Sequence, residues 1–369
     1  MGIVFSHRTS LALIRAWRRN HPAHDLPRPC PFPLGTKASH ALSQPNVVRR
    51  LNGIGVDGAA LIRHLGKLDC LYHPGMRRPG NGFVRGRSYA GSLSAPLFLE
   101  LGDGLYACSP AAMLAQLSGS LPMPELASIA SEQLGSFSRD PIDPARGSAV
   151  FGIPPFARID EMLWMLASLE EGRPVARTLR ALGSACPNAW SPLESTLATM
   201  LTLPAEEGGY DLGPLVLNQR VHAGKEAPMT CGSRVPDIEF LHAPLCLNYD
   251  GEGHLDLRGL ETAAMQLAAD PGDFARDPAL QRMRRQLREK YVDDRRRERD
   301  LASNGKLTLT VTKEDLLERG ALDLLVRQLI KLLEKSSRRY LVEQRRALDD
   351  ERLARRRGEL ISGLLFRHP

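Results

Sequence analysis

The stretch RVPDIEFLHAPLCLNYDG, residues 234–251, contains the acids around which the chain is organised. It consists of two short apolar segments separated by a turn at Pro244, with carboxylates at Asp237 and Asp250. Two adjacent strands that each deliver an acid to one sheet edge can hold a hard divalent cation, which prefers oxygen ligands. Glu239 follows Asp237 by two residues, so strand alternation places both acids on one face. The stretch therefore predicts a metal-ion site at the edge of a sheet.

Composition narrows the class of protein. At 369 residues and 43% apolar content, the chain is long enough for two or three domains with sizeable cores. The formal charge of +7 is a mild bias toward polyanions such as nucleic acid. The six cysteines include no C-x-x-C pair, which argues against a zinc site or a disulfide scaffold and favours a reduced, intracellular protein. No apolar run approaches the roughly 20 residues that span a bilayer, so we expect a cytoplasmic protein with no membrane partner.

The N-terminal region predicts a strand at residues 3–5 followed by a helix. Ser6 and His7 between them invite a catalytic interpretation, although a helix-capping turn is the more ordinary one. Residues 20–46 are rich in Pro and His and predict a linker. The glycine-rich stretch GMRRPGNGFVRGRSYAG, residues 75–91, lacks the Gly-Lys-Ser/Thr ending of a phosphate loop. Nucleotide binding is therefore an unfavoured interpretation. The arginines of this stretch can contact a phosphate backbone or belong to a solvated loop: Arg77, Arg78, Arg85 and Arg87.

The middle of the chain predicts amphipathic helices that we interpret as a scaffold. The order of the elements that follow them indicates the fold of the next domain. From residue 191 the patterns predict a helix, three strands, a long basic helix and a fourth strand, in the order α-β-β-β-α-β. We predict an N-terminal mixed α/β region at 1–185 and a second domain at 186–337 with an inserted segment near 255–288. Residues 338–369 predict a charged C-terminal helix or tail.

Acidic and basic residues recur at defined places in this second domain. They are Glu194 in SPLE, Asp237 in VPDIEF, Asp250 before Gly251 in LNYDG, His254 just beyond, and the helical pair Asp294 and Arg297, continuing to Leu301 and Gly305. This set, in this order, resembles the very-short-patch-repair endonuclease-like families of bacterial proteins. The resemblance covers residues 191–333, and some proteins of similar architecture lie near abortive-infection antitoxins.

The resemblance implies an α/β fold with a restriction-endonuclease-like αβββαβ core and a site that acts on DNA. Magnesium would bind through Asp237 and Asp250, with Glu194 nearby, and would activate water for attack on a phosphodiester. The resemblance further implies that Arg297 steadies the phosphate or pairs with Asp294, and that His254 belongs to the same catalytic set.

One position departs from the family pattern. Asn248 stands where the family has a glutamate, two residues before the Asp of the Asp-Gly pair. An amide oxygen can still bind magnesium, but the lost negative charge weakens the affinity. Glu239 or Glu252 could substitute if the fold points either one inward.

Each residue also has an ordinary structural interpretation. Asp237 after a proline suits a strand end, and Asp250 before a glycine suits a hairpin turn. Asp294 and Arg297 lie three apart on a helix and could form a surface ion pair. His254 could be a simple loop histidine.

Two hypotheses follow from the sequence. The first is a magnesium-dependent endonuclease with a degenerate site, acting in defence or DNA processing. The second is a catalytically inactive nuclease-fold protein that binds DNA or regulates in the manner of an antitoxin. A weaker third possibility is a DNA-reading regulator that uses the glycine-rich arginine loop and the basic helix. The sequence leaves open both the oligomeric state, including a homodimer, and a partner protein.

Overall fold

A computed structural model describes residues 2–22, 26–33, 42–75, 78, 80–224, 228–250, 278–338 and 340–366. The fold is α/β, as predicted, with mixed sheets and helices. The contacts divide the chain into two compact units. Unit 1 comprises Met1–Leu212 and Asp350–Pro369, and unit 2 comprises Gly213–Asp349.

Unit 1 alternates short strands with helices. Its strands are β1 (Ile3–Phe5), β2 (Arg28–Cys30), β3 (Leu68–Tyr72), β4 (Val84–Ser88), β5 (Phe98–Gly102), β6 (Leu105–Cys108), β7 (Phe137–Ser138) and β8 (Val150–Phe151). Its helices are α1 (His7–Asn20), α2 (Gln44–Gly53), α3 (Gly58–Leu65), α4 (Pro110–Leu117), α5 (Met123–Leu134), α6 (Ile159–Ala167), α7 (Arg173–Gly183) and α8 (Pro192–Thr202), with a short 3-10 turn at Ala205–Glu207.

The first six strands form one mixed sheet in the order β2-β5-β6-β1-β3-β4. The predicted strand β1 lies in its interior, parallel to β6 and antiparallel to β3, and its three apolar residues are buried. Helix α1 packs against α4 and against β6 of this sheet. Two predicted helix starts are confirmed, because the hydroxyls of Ser109 and Ser191 each accept a hydrogen bond from the first turn of their helix.

Unit 2 is built on a four-stranded sheet. Its strands are β9 (Leu215–Leu217), β10 (Val221–His222), β11 (Ser233–Arg234), β12 (Ile238–Phe240), β13 (Leu245–Asp250) and β14 (Leu307–Thr312), and its helices are α9 (Pro278–Ser303), α10 (Lys313–Leu317), α11 (Ala321–Ser337) and α12 (Val342–Asp349). The sheet order is β14-β13-β12-β9, and β10 pairs separately with β11. Strands β9, β12 and β13 form an antiparallel meander, and β14 lies parallel to β13. The sequence between these two parallel strands includes α9.

The two units differ from the predicted domains at both ends of unit 2. Helix α8, which carries Glu194, packs on α5 and belongs to unit 1. The C-terminal helix α13 (Glu351–Phe366) also packs on α5 and α8 rather than extending a charged tail. Its apolar stripe, including Ile361 and Leu364, is buried, and the guanidinium of Arg357 lies over the Tyr210 ring at 5.2 Å. Among the described residues, no helix combines the length and apolarity needed to cross a membrane.

Candidate functional site

Asp237 is fixed where strand β12 begins. Ile238 pairs with Leu247 in the antiparallel register, which brings the acid beside the far end of β13. Its Oδ2 accepts a hydrogen bond from the Tyr249 N–H at 2.6 Å. The Asn218 N–H donates to the Asp237 carbonyl at 3.0 Å. Hydrogen bonds from two neighbouring segments, one to the carboxylate and one to the backbone carbonyl, therefore hold Asp237 at the sheet edge.

Helix α9 supplies basic partners to the acids of the sheet. Lys290, Asp294, Arg297 and Leu301 recur at spacings of four, three and four residues, so they share one helix face. Leu301 on this face is fully buried. Arg297 donates to Asp237 Oδ1 at 3.1 Å and also to the Val235 carbonyl. The stripe thus faces the sheet and places a guanidinium on Asp237.

Asp250, at the end of β13, has its own basic partner. Lys290 Nζ lies 2.7 Å from Asp250 Oδ1. The side chain of Lys290 is 22% exposed and that of Asp250 43%. The two acids predicted to hold a metal ion are therefore both ion-paired, each to a different residue of α9.

A cavity of about 460 Å³ lies between the sheet and α9. It is lined mainly by charged and polar side chains: Asp237, Asn248, Tyr249, Asp250, Lys290, Asp293, Asp294, Arg295, Arg297, Glu298 and Thr310. Unit 2 therefore brings five of the predicted residues into one polar cavity: Asp237, Asn248, Asp250, Asp294 and Arg297.

Asn248 contributes an unsatisfied buried oxygen to this cavity. The residue is 9% exposed, and its Oδ1 is buried without a hydrogen-bond partner among the described residues. An unsatisfied buried acceptor costs about 1–3 kcal/mol, so native proteins rarely retain one. The oxygen marks a position where a hydrogen-bond donor or a cation can enter the cavity.

Asp294 and Arg297 do not form the surface ion pair that their spacing allows. Arg297 turns to Asp237, and Asp294 makes no hydrogen bond or ion pair within the described part of the chain. The simple ion-pair interpretation of these two residues is therefore wrong. Asp294 instead contributes an unpaired carboxylate to the cavity lining.

The remaining predicted residues lie elsewhere. Glu239 pairs with Lys306 and does not line the cavity, so it does not replace the missing glutamate. Glu194 belongs to unit 1, where its carboxylate accepts hydrogen bonds from the Trp190 N–H at 3.2 and 3.3 Å. His254 and Glu252 lie outside the described residues.

In the described structure, the acids predicted to hold magnesium already have other partners. Both oxygens of Asp237 accept hydrogen bonds, and one oxygen of Asp250 contacts an ammonium. Asn248 adds an uncharged oxygen. Across the described ranges, no group of three or more His, Cys, Asp or Glu side chains could hold a metal ion. Arg297 and Lys290 therefore supply positive charge to these two acids in the described structure.

A second ionic cluster, which sequence reasoning missed, ties α9 to the hairpin before β12. Asp300 is 3% exposed and accepts hydrogen bonds from the Thr230 N–H at 2.8 Å, the Thr230 hydroxyl at 2.6 Å and Arg234 Nε at 2.8 Å. Arg234 also pairs with Asp293 at 2.9 Å. Burial raises the pKa of Asp300, but the donors from Thr230 and Arg234 outweigh it and lower the pKa to about 2. The cluster fixes the orientation of α9 over the sheet.

Lys290 was also missed, although the sequence contained a usable signal. It precedes Arg297 by seven residues, which places both on one side of a helix two turns apart. The spacing could have identified a second basic residue for the acid at the end of β13.

Comparisons with known proteins identify no relative. No protein-family model matches the chain, and neither the curated proteins nor the solved structures that were searched include a match.

Proposed function

We propose that this chain is a nucleic-acid-binding protein whose unit 2 has a restriction-endonuclease-like core and binds DNA without metal-assisted cleavage. The strand order supports the first part of the proposal. An antiparallel meander of β9, β12 and β13, followed by α9 and a parallel β14, is the βββαβ order that the sequence resemblance implies. The helix that begins that core is, in the resemblance, the one carrying Glu194, which groups with unit 1.

The outward side of α9 favours a polyanionic partner. At about 100° per residue, Arg284, Arg288 and Arg299 fall on one side of the helix, away from the face that packs on the sheet. All three are exposed. We call these three residues the arginine stripe. Guanidinium groups donate well to phosphate oxygens, and contacts of this kind fix a protein on a nucleic-acid backbone.

The ion pairs on the inward side favour binding over hydrolysis. Metal-assisted hydrolysis needs carboxylates that hold the ion and position its water. Here the carboxylates of Asp237 and Asp250 are offset by Arg297 and Lys290, and Asn248 brings no charge. This paired arrangement of acids and bases is the observation that carries the proposal, and it corresponds to the inactive nuclease-fold hypothesis.

A salt-dependent binding measurement tests the DNA contact. Fluorescence anisotropy with a labelled 20-base-pair duplex in EDTA would compare the wild type with R284Q/R288Q/R299Q between 50 and 200 mM salt. We expect the variant to bind at least tenfold more weakly at 100 mM salt. The slope of log affinity against log salt should fall by about 3, since each lost phosphate contact removes about one unit.

A matched control separates local contacts from overall charge. R319Q/K331Q/R346Q removes three exposed positive charges from the same unit without touching the stripe. We expect this control to bind DNA nearly as tightly as the wild type. Equal losses in both variants, or no DNA binding by the wild type, would contradict the proposal.

A further inference from the structure

Two arginines lie on one face of strand β4, the last strand in the described sheet of unit 1. Arg85 and Arg87 are two residues apart, so their side chains project from the same face. Asp69 on β3 pairs in register with Arg85, and its carboxylate contacts both guanidiniums. Arg87 Nε donates to Asp69 Oδ1 at 2.8 Å, and Arg85 NH1 lies 3.9 Å from the same oxygen. One carboxylate thus orients two arginines and leaves a net positive charge.

Most of the donors on these arginines remain unused. Arg87 uses only its Nε–H to contact Asp69, and the side chain of Arg85 makes no hydrogen bond in the part of the chain that the structure describes. The side chains of Arg85 and Arg87 are 50% and 39% exposed. Their terminal N–H groups are therefore oriented by the protein and accessible to a ligand.

The start of helix α1 is hydrogen-bonded to the backbone of Asp69, the residue that contacts both arginines. The Ser6 N–H donates to the Asp69 carbonyl at 3.0 Å, and the Asp69 N–H donates to Thr9 Oγ1 at 2.9 Å. The N-terminal end of a helix carries a partial positive charge. The Ser6 hydroxyl makes no capping hydrogen bond to this helix, so the predicted capping role is not observed. Asp69 therefore brings the arginine pair close to a second source of positive potential.

His7 adds a polar ring beside the arginines. Its backbone has φ of 49°, a left-handed conformation that is uncommon for a residue other than glycine. Its Nδ1 lies 3.0 Å from Ser6 Oγ. Burial lowers the pKa of His7, Asp69 raises it, and Arg87 and Arg85 lower it, with a net lowering that favours the neutral ring. The two arginines are therefore the main source of positive charge in the cluster.

A hydrolytic role for this region has no support in the geometry. Ser6 is fully buried, so a substrate cannot reach its hydroxyl. The neighbouring Cys108 thiol is also buried, which raises its pKa to about 12 despite hydrogen bonds from Gln116 and Ser10. A thiol of that pKa is a poor nucleophile at neutral pH. The cluster has the properties of a binding site and lacks those of a nucleophilic centre.

We propose that Arg85 and Arg87 form a phosphate-binding site on the edge of the unit 1 sheet. The planar forks of two guanidiniums match the oxygens of a phosphate, and Asp69 holds both in place before the ligand arrives. The phosphate can belong to a free phosphate compound or to a nucleic-acid backbone. The site is separate from the arginine stripe, and its existence does not depend on the function proposed for unit 2.

The test uses the full-length chain with R284Q/R288Q/R299Q as background, so that the arginine stripe does not contribute. The probes are pyrophosphate, followed by calorimetry, and a labelled 12-nucleotide single strand, followed by anisotropy. We expect R85Q/R87Q to weaken binding of at least one probe tenfold or more. R63Q/R173Q, which removes two exposed charges elsewhere in unit 1, should leave binding unchanged. R85K/R87K should bind at an intermediate level, because the charge remains but the fork is lost.

The outcomes separate the two phosphate sources. A loss for both probes, or for pyrophosphate alone, supports a site for the phosphate group itself, and a loss for the single strand alone supports a backbone contact. If R85Q/R87Q disturbs folding, Arg85→Gln alone serves as the test, since the Arg85 side chain makes no hydrogen bond that the substitution would remove. At least a threefold loss of binding is expected. Equal affinity of the arginine and control variants for both probes, or no binding of either probe by the background chain, would overturn the proposal. Neither of these two results bears on the duplex-DNA binding experiment with the arginine stripe, so the two proposals fail independently.

Discussion

Glu132 in unit 1 and Asp237 in unit 2 are both acids paired with an arginine, yet their surroundings differ. Glu132 is fully buried, and its partner Arg15 is 2% exposed. Arg15 donates to both carboxylate oxygens, at 3.0 and 2.9 Å, and the Arg139 N–H donates to Oε1 at 3.0 Å. Burial raises the pKa of Glu132, but Arg15 and Arg139 more than offset it and hold the pKa below its usual value.

Asp237 and its partner Arg297 are 17% and 24% exposed and line a cavity with the orphan oxygen of Asn248. An acid–arginine pair by itself does not distinguish structure from function. A buried pair whose hydrogen-bonding groups all have partners is structural, because a buried charged group without a partner greatly destabilises the fold. Incomplete satisfaction beside an accessible cavity indicates a place where another molecule can bind.

The largest effect is expected at the buried pair. Glu132→Gln leaves the guanidinium of Arg15 buried without its charged partner, so we expect a loss of about 3–5 kcal/mol in the free energy of unfolding. Urea denaturation at pH 7 would measure it. A loss of unfolding free energy below about 1 kcal/mol would show that the Glu132 pair is no more important for stability than we expect the Asp237 pair to be.

Asp300→Asn should have the next largest effect and a defined pH dependence. Hydrogen bonds to charged groups contribute about 1.5–3 kcal/mol, and Asp300 accepts three of them. Because the folded pKa is depressed to about 2, against about 3.9 unfolded, the stabilisation is fully present above about pH 4 and is lost as the pH falls through 2. Thermal melts should show a deficit for the variant at pH 7 that shrinks across this window. A deficit that stays constant down to pH 2 would show that the ionised carboxylate is not its source.

Asp237→Asn tests the partly exposed pair directly. We expect a loss of about 1 kcal/mol or less, since ion pairs with access to water contribute little to stability. The same urea titration used for Glu132→Gln provides the comparison. A loss as large as that of Glu132→Gln would indicate a structural pair and would argue against a binding role for the cavity.

Asn248→Leu should have the smallest effect and the opposite sign. The substitution removes an unsatisfied buried acceptor while keeping the side-chain shape, so we expect stability to rise by up to about 1 kcal/mol. A stabilised variant with weaker ligand binding would identify Asn248 as a residue kept for function. Destabilisation of more than about 1 kcal/mol would show that the amide has a partner in the folded chain.

Local patterns in the sequence predicted the elements of unit 2 but not their tertiary partners. Alternation identified the strand at Leu245–Asp250, and helical spacing placed Asp294 and Arg297 near one face of α9. Spacing cannot show that Arg297 turns to Asp237, 60 residues away, because that choice depends on how the helix packs on the sheet. The motif around Glu194 specified a helix start correctly, but packing on α5 assigned that helix to unit 1.

The charge composition of the C-terminal segment likewise did not predict how the segment packs. Its dense charge predicted a charged helix or tail. The segment forms helix α13, and a few apolar residues, including Ile361 and Leu364, are enough to bury one side of it. Net charge describes the whole surface of a helix, but burial depends on one stripe of it.

In the function that we propose, Arg297 and Lys290, rather than a metal ion, neutralise the acids of the unit 2 cavity. The most direct measurement is cleavage of end-labelled duplex and single-stranded DNA, resolved on a denaturing gel, with saturating wild-type protein and 10 mM Mg²⁺ or Mn²⁺. We expect the DNA to stay intact with either ion while remaining bound. Metal-dependent cleavage by the wild type that disappears in both Asp237→Ala and Asp250→Ala would contradict the claim and restore the nuclease hypothesis.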